Sequence, residues 1–537
     1  MNKERKKESF KQSVFSLLIS QVIVKILGLF YRLYLTNREG YGDEGNAIAN
    51  GGFQVFALFL SLIAIGIPTA ISKLIAEYSS KGKYRDAYKI FKVALFIFSI
   101  IGIIGSYYLY YYSNFLANNY LHMPETKLSI IALCPSVFLI SVISVFKGFF
   151  SGREAIKKTA QAQALDQFTK TITTFIMIEV SVFLLKNTNT ELMAACSNLA
   201  TTLGNVIEFG FLYKAYLVEV KIVKKEIKNS SYKSEIRIIK IIKQIFIMAI
   251  PISLTALIST ISKNIDSTTI VNDLQSLIGY EEAKRQYGIL SGKIDALINL
   301  PLSFNMAIVT SLLPSIAATN GRLKLQEKRI NQSFLMGLTI AVPTTLIFFV
   351  FSNEILRILF PNASDGGSIL KISSFQILFL TVEQITNIIL NGIGKNSVPI
   401  KAITVGVIVK GVLNKALVHR IDLPIGGAVG AAIATLACHI VTSSISLISL
   451  IKETNIRISV INFFKPCLAS LMMIIISKII YIYLNCIKNF KIRFIGSFGL
   501  GILVFLIVLT VLIPIKIFKI HKKKVEKRRI LLFNKVL

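Results

Sequence analysis

The chain has four histidines, five cysteines and 28 acidic residues against 61 basic ones, and each shortage removes a class of function. His122, His419, His439 and His521 are far apart, and only His439 falls well inside an apolar segment, where a helical neighbour accounts for it. No histidine cluster for catalysis is expected. Cys134, Cys196, Cys438, Cys467 and Cys486 lie in or beside apolar segments without metal-type spacing, which implies neither disulfides nor zinc. The run NGIGKNS at Asn391–Ser397 lacks the first glycine of a phosphate loop and places Asn396 where Ser or Thr would bind magnesium. No cofactor, metal or enzymatic activity is expected.

What the chain does have is apolar length. Of 537 residues, 53% are hydrophobic, and the apolar runs are long enough to cross a bilayer. The mean hydropathy is +0.64. An all-α polytopic membrane protein is expected, with about 14 spans centred near residues 24, 62, 99, 140, 174, 204, 251, 302, 341, 380, 409, 436, 471 and 505. A net charge of +33 would raise nucleic acid as a partner in a soluble chain, but here Lys and Arg concentrate in every second loop. Lys3, Arg5, Lys6 and Lys7 begin the series, which runs through Lys81, Lys83 and Arg85, then Lys221, Lys224, Lys225 and Lys228, to the tail HKKKVEKRR at His521–Arg529. The intervening loops SNFLANNYLHMPET, NTNTE and FPNASDGG are nearly free of basic residues. Both termini are therefore expected in the cytoplasm, and nucleic acid is not expected as a partner.

The central basic stretch divides the chain. Span 2 ends in GIPTAISKLIAEYSSKGKYRDA and span 8 in SLLPSIAATNGRLKLQEKR, each closing with proline, small hydroxyl residues and a basic loop. Span 7 echoes span 1. Two six-span lobes in the same orientation are expected, a transporter plan with the substrate site between the halves. The expected divisions are an N-lobe at 1–218, a basic cytoplasmic linker at 219–238, a C-lobe at 239–450, two added spans at 451–520 and a basic tail at 521–537.

The intramembrane charges are the candidate site. In span 1, Gln21, Lys25, Gly28 and Arg32 share one face of a helix that is otherwise Ile, Leu, Val and Phe. A charge near the bilayer centre costs roughly 2.5–3.5 kcal/mol on insertion scales, so this stripe is expected to face a cavity that receives an anion. Lys25 has no acidic residue within a turn or two of its own helix. Thr255, Ser259, Ser262 and Asp266 repeat the spacing in span 7 with Lys263 alongside, and span 8 begins with Lys293 and Asp295. Lys25, Arg32, Lys263 and Lys293 are the candidate substrate-binding cations. Asp166, Asp266, Asp295 and Glu383 are candidates for ion coupling or for structural pairing, with Asp166 and Lys170 spaced as an i, i+4 pair.

These residues also carry a family resemblance. KILGLFYR in span 1, GDEGN after it, GIPTAISKLIAEYSSKGK closing span 2 and YGILSGKIDALINLPLSFNMAIVTSLLPSIA in span 8 resemble the stage V sporulation protein B branch of the polysaccharide exporters. That branch belongs to the multidrug, oligosaccharidyl-lipid and polysaccharide (MOP) exporter superfamily and includes lipid II flippases of Gram-positive bacteria. The resemblance implies two six-helix lobes around a cationic cavity, with the last two helices forming a groove for a polyprenyl tail. It implies a monomeric cell-membrane flippase moving an undecaprenyl-pyrophosphate-linked cell-wall precursor, lipid II, between leaflets among membrane lipids. Lys25 matches the first arginine of the family's span 1, and Arg32 matches the second with one residue inserted. Other expectations are export of a capsule or teichoic-acid lipid carrier, or a multidrug cation antiporter using the intramembrane carboxylates. A membrane glycan polymerase or acyltransferase would need a His or Asp cluster in a large external loop, and Asn264–Gln286 carries only ordinary charges. Without a nucleotide site, transport would draw on an ion gradient, the membrane potential or the substrate's own gradient.

Overall fold

A computed structural model describes residues 10–183, 189–230, 232, 236–317, 323–486 and 489–512. Among the described residues there is no strand. The first part of the chain forms α1 (Phe10–Asn37), α2 (Gly42–Ile63), α3 (Gly66–Ser80), α4 (Tyr84–Tyr111), the single turn α5 (Ser113–Phe115), α6 (Thr126–Gly152), α7 (Ile156–Phe183) and α8 (Thr190–Asn229). The second forms α9 (Ile238–Ile278), α10 (Tyr280–Gly288), α11 (Asp295–Ala317), α12 (Leu323–Val350), α13 (Ser352–Leu359), α14 (Gly367–Ser374), α15 (Gln376–Gly392), α16 (Ser397–Val418) and α17 (Gly427–Thr454). Last come α18 (Ile461–Tyr483) and α19 (Phe490–Leu512). Long helices stand at or beside the expected centres, and among the described residues ten candidate spans are long and apolar enough to cross a membrane by length and composition. The chain is a multi-pass membrane protein.

In the first lobe α6 packs against α2, α3, α4 and α8, and α7 ties α1 to α8. In the second, α17 packs on α15 and α16, and α11 packs on α12 and α15. α9 touches both lobes, with α16 on one side and α2 and α3 on the other. α18 and α19 pair with each other and reach the rest through α12, outside both lobes. The expected linker at 219–238 is not a loop throughout, because α8 runs on to Asn229. Arg153 binds that extension, donating from Nε to Glu219 at 2.8 Å and from Nη1 to Glu226 at 3.0 Å. The expected basic tail at 521–537 lies outside the described residues.

The crossing at Gly42–Ser80 is broken between α2 and α3. Pro68 sits in the first turn of α3, where its missing N–H costs nothing. Ser253 Oγ of α9 donates to the Leu62 carbonyl at 2.7 Å, satisfying an acceptor next to the break. A β-carbon at Gly66 would collide with Ala249 and Ser253, so glycine is what lets α9 approach here.

Candidate functional site

At the end of the bundle carrying the loops poor in basic residues, the two lobes are closed on each other. Asp43 opens α2, and its carboxylate accepts from Lys293 Nζ at 2.9 Å. Lys293 Nζ also donates to the Ala363 carbonyl at 2.7 Å and the Asp365 carbonyl at 2.9 Å. The lysine side chain is 0% exposed and that of Asp43 6%. A β-carbon at Gly288 would strike the Asp43 carbonyl, so a glycine is needed where α10 meets α2. Beside this pair Asn37 Nδ2 donates to the Leu359 carbonyl at 2.8 Å, and Asn362 Nδ2 donates to the Asn37 carbonyl at 2.7 Å.

A further clasp joins the loop before α6 to α10. Glu125 accepts from the Tyr280 hydroxyl and from Lys284 Nζ at 3.2 Å. Burial pushes the Glu125 carboxyl up, but Tyr280 and Lys284 outweigh it and hold the group below its ordinary value. A carboxyl depressed in the closed state favours closure above its free value and loses that contribution as pH falls through the depressed one. Spin-label distances across this end should therefore stay constant from neutral pH down to about 5 and lengthen only below about 4. Glu125→Gln should remove that acid-dependent part.

Beneath the closed end three chambers adjoin, each lined by Asn299 of α11. The first, about 520 Å³, lies between the lobes and is lined by Lys25, Lys147, Gln163 and Asp166 with Ser303 and Gln384 opposite. Lys25 is exposed into it and has no ion-pair or hydrogen-bond partner among the described residues. Lys147 is held by Glu208 at 2.8 Å. Asp166 Oδ1 is buried without a partner among the described residues.

The second chamber, about 240 Å³, holds Arg32, Lys170 and Lys263 with one carboxylate, Asp295. Arg32 donates to Asn46 at 2.6 Å and to Asn50 at 3.1 Å, both on α2. The third, about 190 Å³, sits inside the second lobe and collects Asp266, Glu383, Lys410 and His439. Asp266 accepts from Lys410 Nζ at 2.6 Å and from Asn414 at 3.1 Å, and His439 Nδ1 lies 3.1 Å from Glu383.

The structure thus separates the expected cations. Lys25 faces the first chamber, while Arg32 and Lys263 share the second. Lys263 is 3.3 Å from Asp295, which supplies part of its neutralisation. Lys293 does not line the cavity, contrary to expectation. It lies in a π-helical segment, Ile289–Ile294, between α10 and α11. Each such i→i+5 turn takes an extra residue, so the register read from an α pattern is lost there and Lys293 turns to Asp43. The i, i+4 pair of Asp166 and Lys170 is not made either: Lys170 Nζ lies over the rings of Tyr31 and Phe53, 5.1 and 5.6 Å from their centres. Lys170 is the cavity cation that sequence spacing missed.

A profile described as polysaccharide biosynthesis protein matches residues 10–320, more than half of the chain. The chain belongs to that family. The MatE profile matches residues 291–416 as well. Among curated relatives, the chain is 25% identical over 442 residues to the lipid II flippase MurJ of Bacillus subtilis (strain 168), covering 79% of each protein. It is 24% identical over 381 residues to stage V sporulation protein B of the same organism, covering 70% of this chain and 71% of that one. Among solved structures, a lipid II flippase MurJ in an inward closed conformation matches with a TM-score of 0.69 at 18% identity, over 92% of this chain and 98% of that one. An inward-facing multidrug resistance transporter of the MATE family matches at 0.63 and 16%, over 82% and 98%. The MurJ relatives are lipid II flippases and the MATE relative is a transporter. As a member of the polysaccharide biosynthesis protein family, the chain is a MOP-superfamily exporter of the MurJ and stage V sporulation protein B type. The chain shares its fold with these two solved structures.

Proposed function

We propose that this protein is a flippase that carries a polyprenyl-pyrophosphate-linked glycan, lipid II, from the inner to the outer leaflet. The observation that carries the reading is Lys25, a cation without a partner among the described residues, in a cavity between two lobes whose opposite end is closed. A cation at membrane depth without a protein partner calls for an anionic occupant. The diphosphate of the carrier lipid meets Lys25 where low dielectric strengthens the attraction. With both termini cytoplasmic, the closed end is the outer one, so this arrangement admits substrate from the inside. Opening the Asp43–Lys293 contact while the inner side closes would release it outward, with the protein acting as a monomer. The membrane potential supplies a driving force of about 2.3 kcal/mol per exported negative charge per 100 mV. The name of one curated relative, the lipid II flippase MurJ, supports lipid II over other cargo, and a capsule or teichoic-acid carrier would present the same diphosphate and tail.

The MatE match over 291–416 favours a second reading, a cation antiporter using Asp166, Asp266 or Glu383. Asp266 and Glu383 are already engaged by Lys410 and His439, and a cationic cargo would meet Lys25, Arg32, Lys170 and Lys263. The test is reconstitution with labelled lipid II in the inner leaflet of proteoliposomes. Its appearance in the outer leaflet on imposing an interior-negative potential supports the flippase. Drug-dependent sodium or proton exchange with no lipid movement would replace it with the antiporter.

A further inference from the structure

The distance between the two cations of α1 divides the cavity into two stations. Lys25 and Arg32 are seven residues apart, which on an α-helix is about 10 Å along the axis. The two side chains also open into different chambers, Lys25 into the first and Arg32 into the second, so the group that meets Lys25 is not the group that meets Arg32. Yet the Arg32 chamber has its own uncompensated charge. It holds Arg32, Lys170 and Lys263 against Asp295 alone.

Each of the three cations has a different reason for being free to bind. Lys263 shares Asp295 at 3.3 Å, a long contact, and its side chain is 48% exposed. Arg32 is held by two asparagine carbonyl oxygens, which orient the guanidinium without neutralising it. Lys170 rests over Tyr31 and Phe53 and has no carboxylate within 4 Å among the described residues. Cation–π contact contributes only about 0.5–2 kcal/mol and leaves the charge intact. Charges of one sign collected at membrane depth are compensated by a partner, and the protein supplies a single carboxylate for three. Among the remaining lining residues, Asn50, Gln54, Asn198, Ser291 and Asn299 bring neutral hydrogen-bonding groups of the kind that orient sugars, amides and carboxylates, beside the rings of Tyr31, Tyr41 and Phe53.

We propose that this chamber is a second anion subsite, separate from Lys25, that takes an acidic group on the head of the lipid-linked glycan about 10 Å from the diphosphate. The proposal rests on the flippase reading and deepens it: the cargo is anionic at both stations, a diphosphate below and a carboxylate-bearing sugar or peptide above. Lys170 is its specificity-determining residue, because it alone of the three has neither an acid nor an asparagine to hold it. At about 240 Å³ the chamber admits an end group rather than a whole glycan. Its position also connects the head to the closed end. Asn50, which accepts from Arg32, donates to Ser291 Oγ of the second lobe at 3.2 Å. Ser291 is two residues from Lys293. An acid that draws Arg32 away from Asn50 thus acts on a contact between the lobes.

Full-length protein in nanodiscs would be titrated with three probes by native mass spectrometry: a polyprenyl diphosphate, the same lipid bearing a carboxylate-containing glycan, and its amidated neutral counterpart. The acidic head should bind at least tenfold more tightly than the neutral one. Lys170→Gln should bring that ratio close to one without changing affinity for the bare diphosphate, and Lys170→Arg should keep it. Lys25→Gln should weaken all three probes by the same factor and leave the ratio unchanged. Equal binding of acidic and neutral heads by the unaltered protein, with the diphosphate still bound, overturns the second subsite and leaves the flippase reading standing. A Lys170→Gln variant that weakens every probe equally also overturns it. Failure of all three probes to bind removes the flippase reading, and the subsite with it.

Discussion

Lys293→Met is expected to shift the protein toward an arrangement open at the Asp43–Lys293 end by between a hundred- and a few thousand-fold. Lys293 is fully buried, and its three partners, Asp43 and the carbonyls of Ala363 and Asp365, come from both lobes. Removing one member of a buried pair costs about 3–5 kcal/mol, because the other charge stays out of water without compensation. That cost falls on the closed state alone. Once the lobes part at this end, Asp43 gains water and the methionine costs little, so the penalty becomes a population shift, tenfold for about every 1.4 kcal/mol. Pairs of spin labels on α2 and α10 at this end would read it as a longer distance in most molecules. The double variant Asp43→Asn/Lys293→Met should return much of the short distance, since no uncompensated carboxylate remains, and the difference between single and double variants gives the coupling directly. Unaltered distances in Lys293→Met would mean that the Gly288 contact, the asparagine bonds at Asn37 and the Glu125 clasp hold the closed end without it.

The helical architecture was legible because membrane spans are the case in which composition decides structure: backbone polar groups in hydrocarbon must be satisfied within the helix. Hydropathy therefore located the helices well, including those later found broken at Ile65 and at Phe375. The site was legible only in part. Lys25 was recognisable because its own helix offers it no acid, a property that sequence spacing states completely. Arg32 was legible as a cavity-facing cation, but not that α2 returns alongside α1 and presents Asn46 and Asn50 to it. That tertiary contact leaves no trace in the periodicity of α1. Lys293 was misplaced because a π segment shifts the register, and nothing in the composition of ILSGKI announces a wide turn. Lys170 was misplaced for the opposite reason. An i, i+4 acid sets up a local pair, but the rings of Tyr31 and Phe53 offer a cation a face on the neighbouring helices, and local spacing cannot weigh that competition.

The carboxylates of the second lobe show the same asymmetry between local and tertiary signals. Asp266, Asp295 and Glu383 were visible as intramembrane acids, and their partners Lys410, Lys263 and His439 each lie on a different helix from the acid they meet. The pairings explain how a strongly basic chain holds acids at membrane depth without giving the cavity a negative character. They also leave Lys25 in the first chamber without an acid among the described residues, as they leave Arg32 and Lys170 in the second.

Lys25→Ala is accordingly expected to abolish transport while leaving the fold intact. Because Lys25 has no protein partner among the described residues, its removal breaks no native ion pair and opens no buried cavity, so thermal stability should stay within about 0.5 kcal/mol of the unaltered protein. Its loss should instead appear in substrate binding. A hydrogen bond to a charged group is worth about 1.5–3 kcal/mol, which predicts roughly ten- to more than hundredfold weaker binding of a polyprenyl diphosphate. Lys25→Arg should retain transport, since the guanidinium keeps the charge and grips a diphosphate with two donors rather than one. Lys25→Glu should be worse than alanine, because it places a negative charge where the diphosphate must pass and adds repulsion to the lost attraction. The decisive measurement is complementation of a depletion strain, read as the level of lipid-linked precursor retained in the inner leaflet. Full complementation by Lys25→Ala would move the diphosphate to the Arg32 chamber and leave Lys25 as a cation that lines the path without holding the cargo.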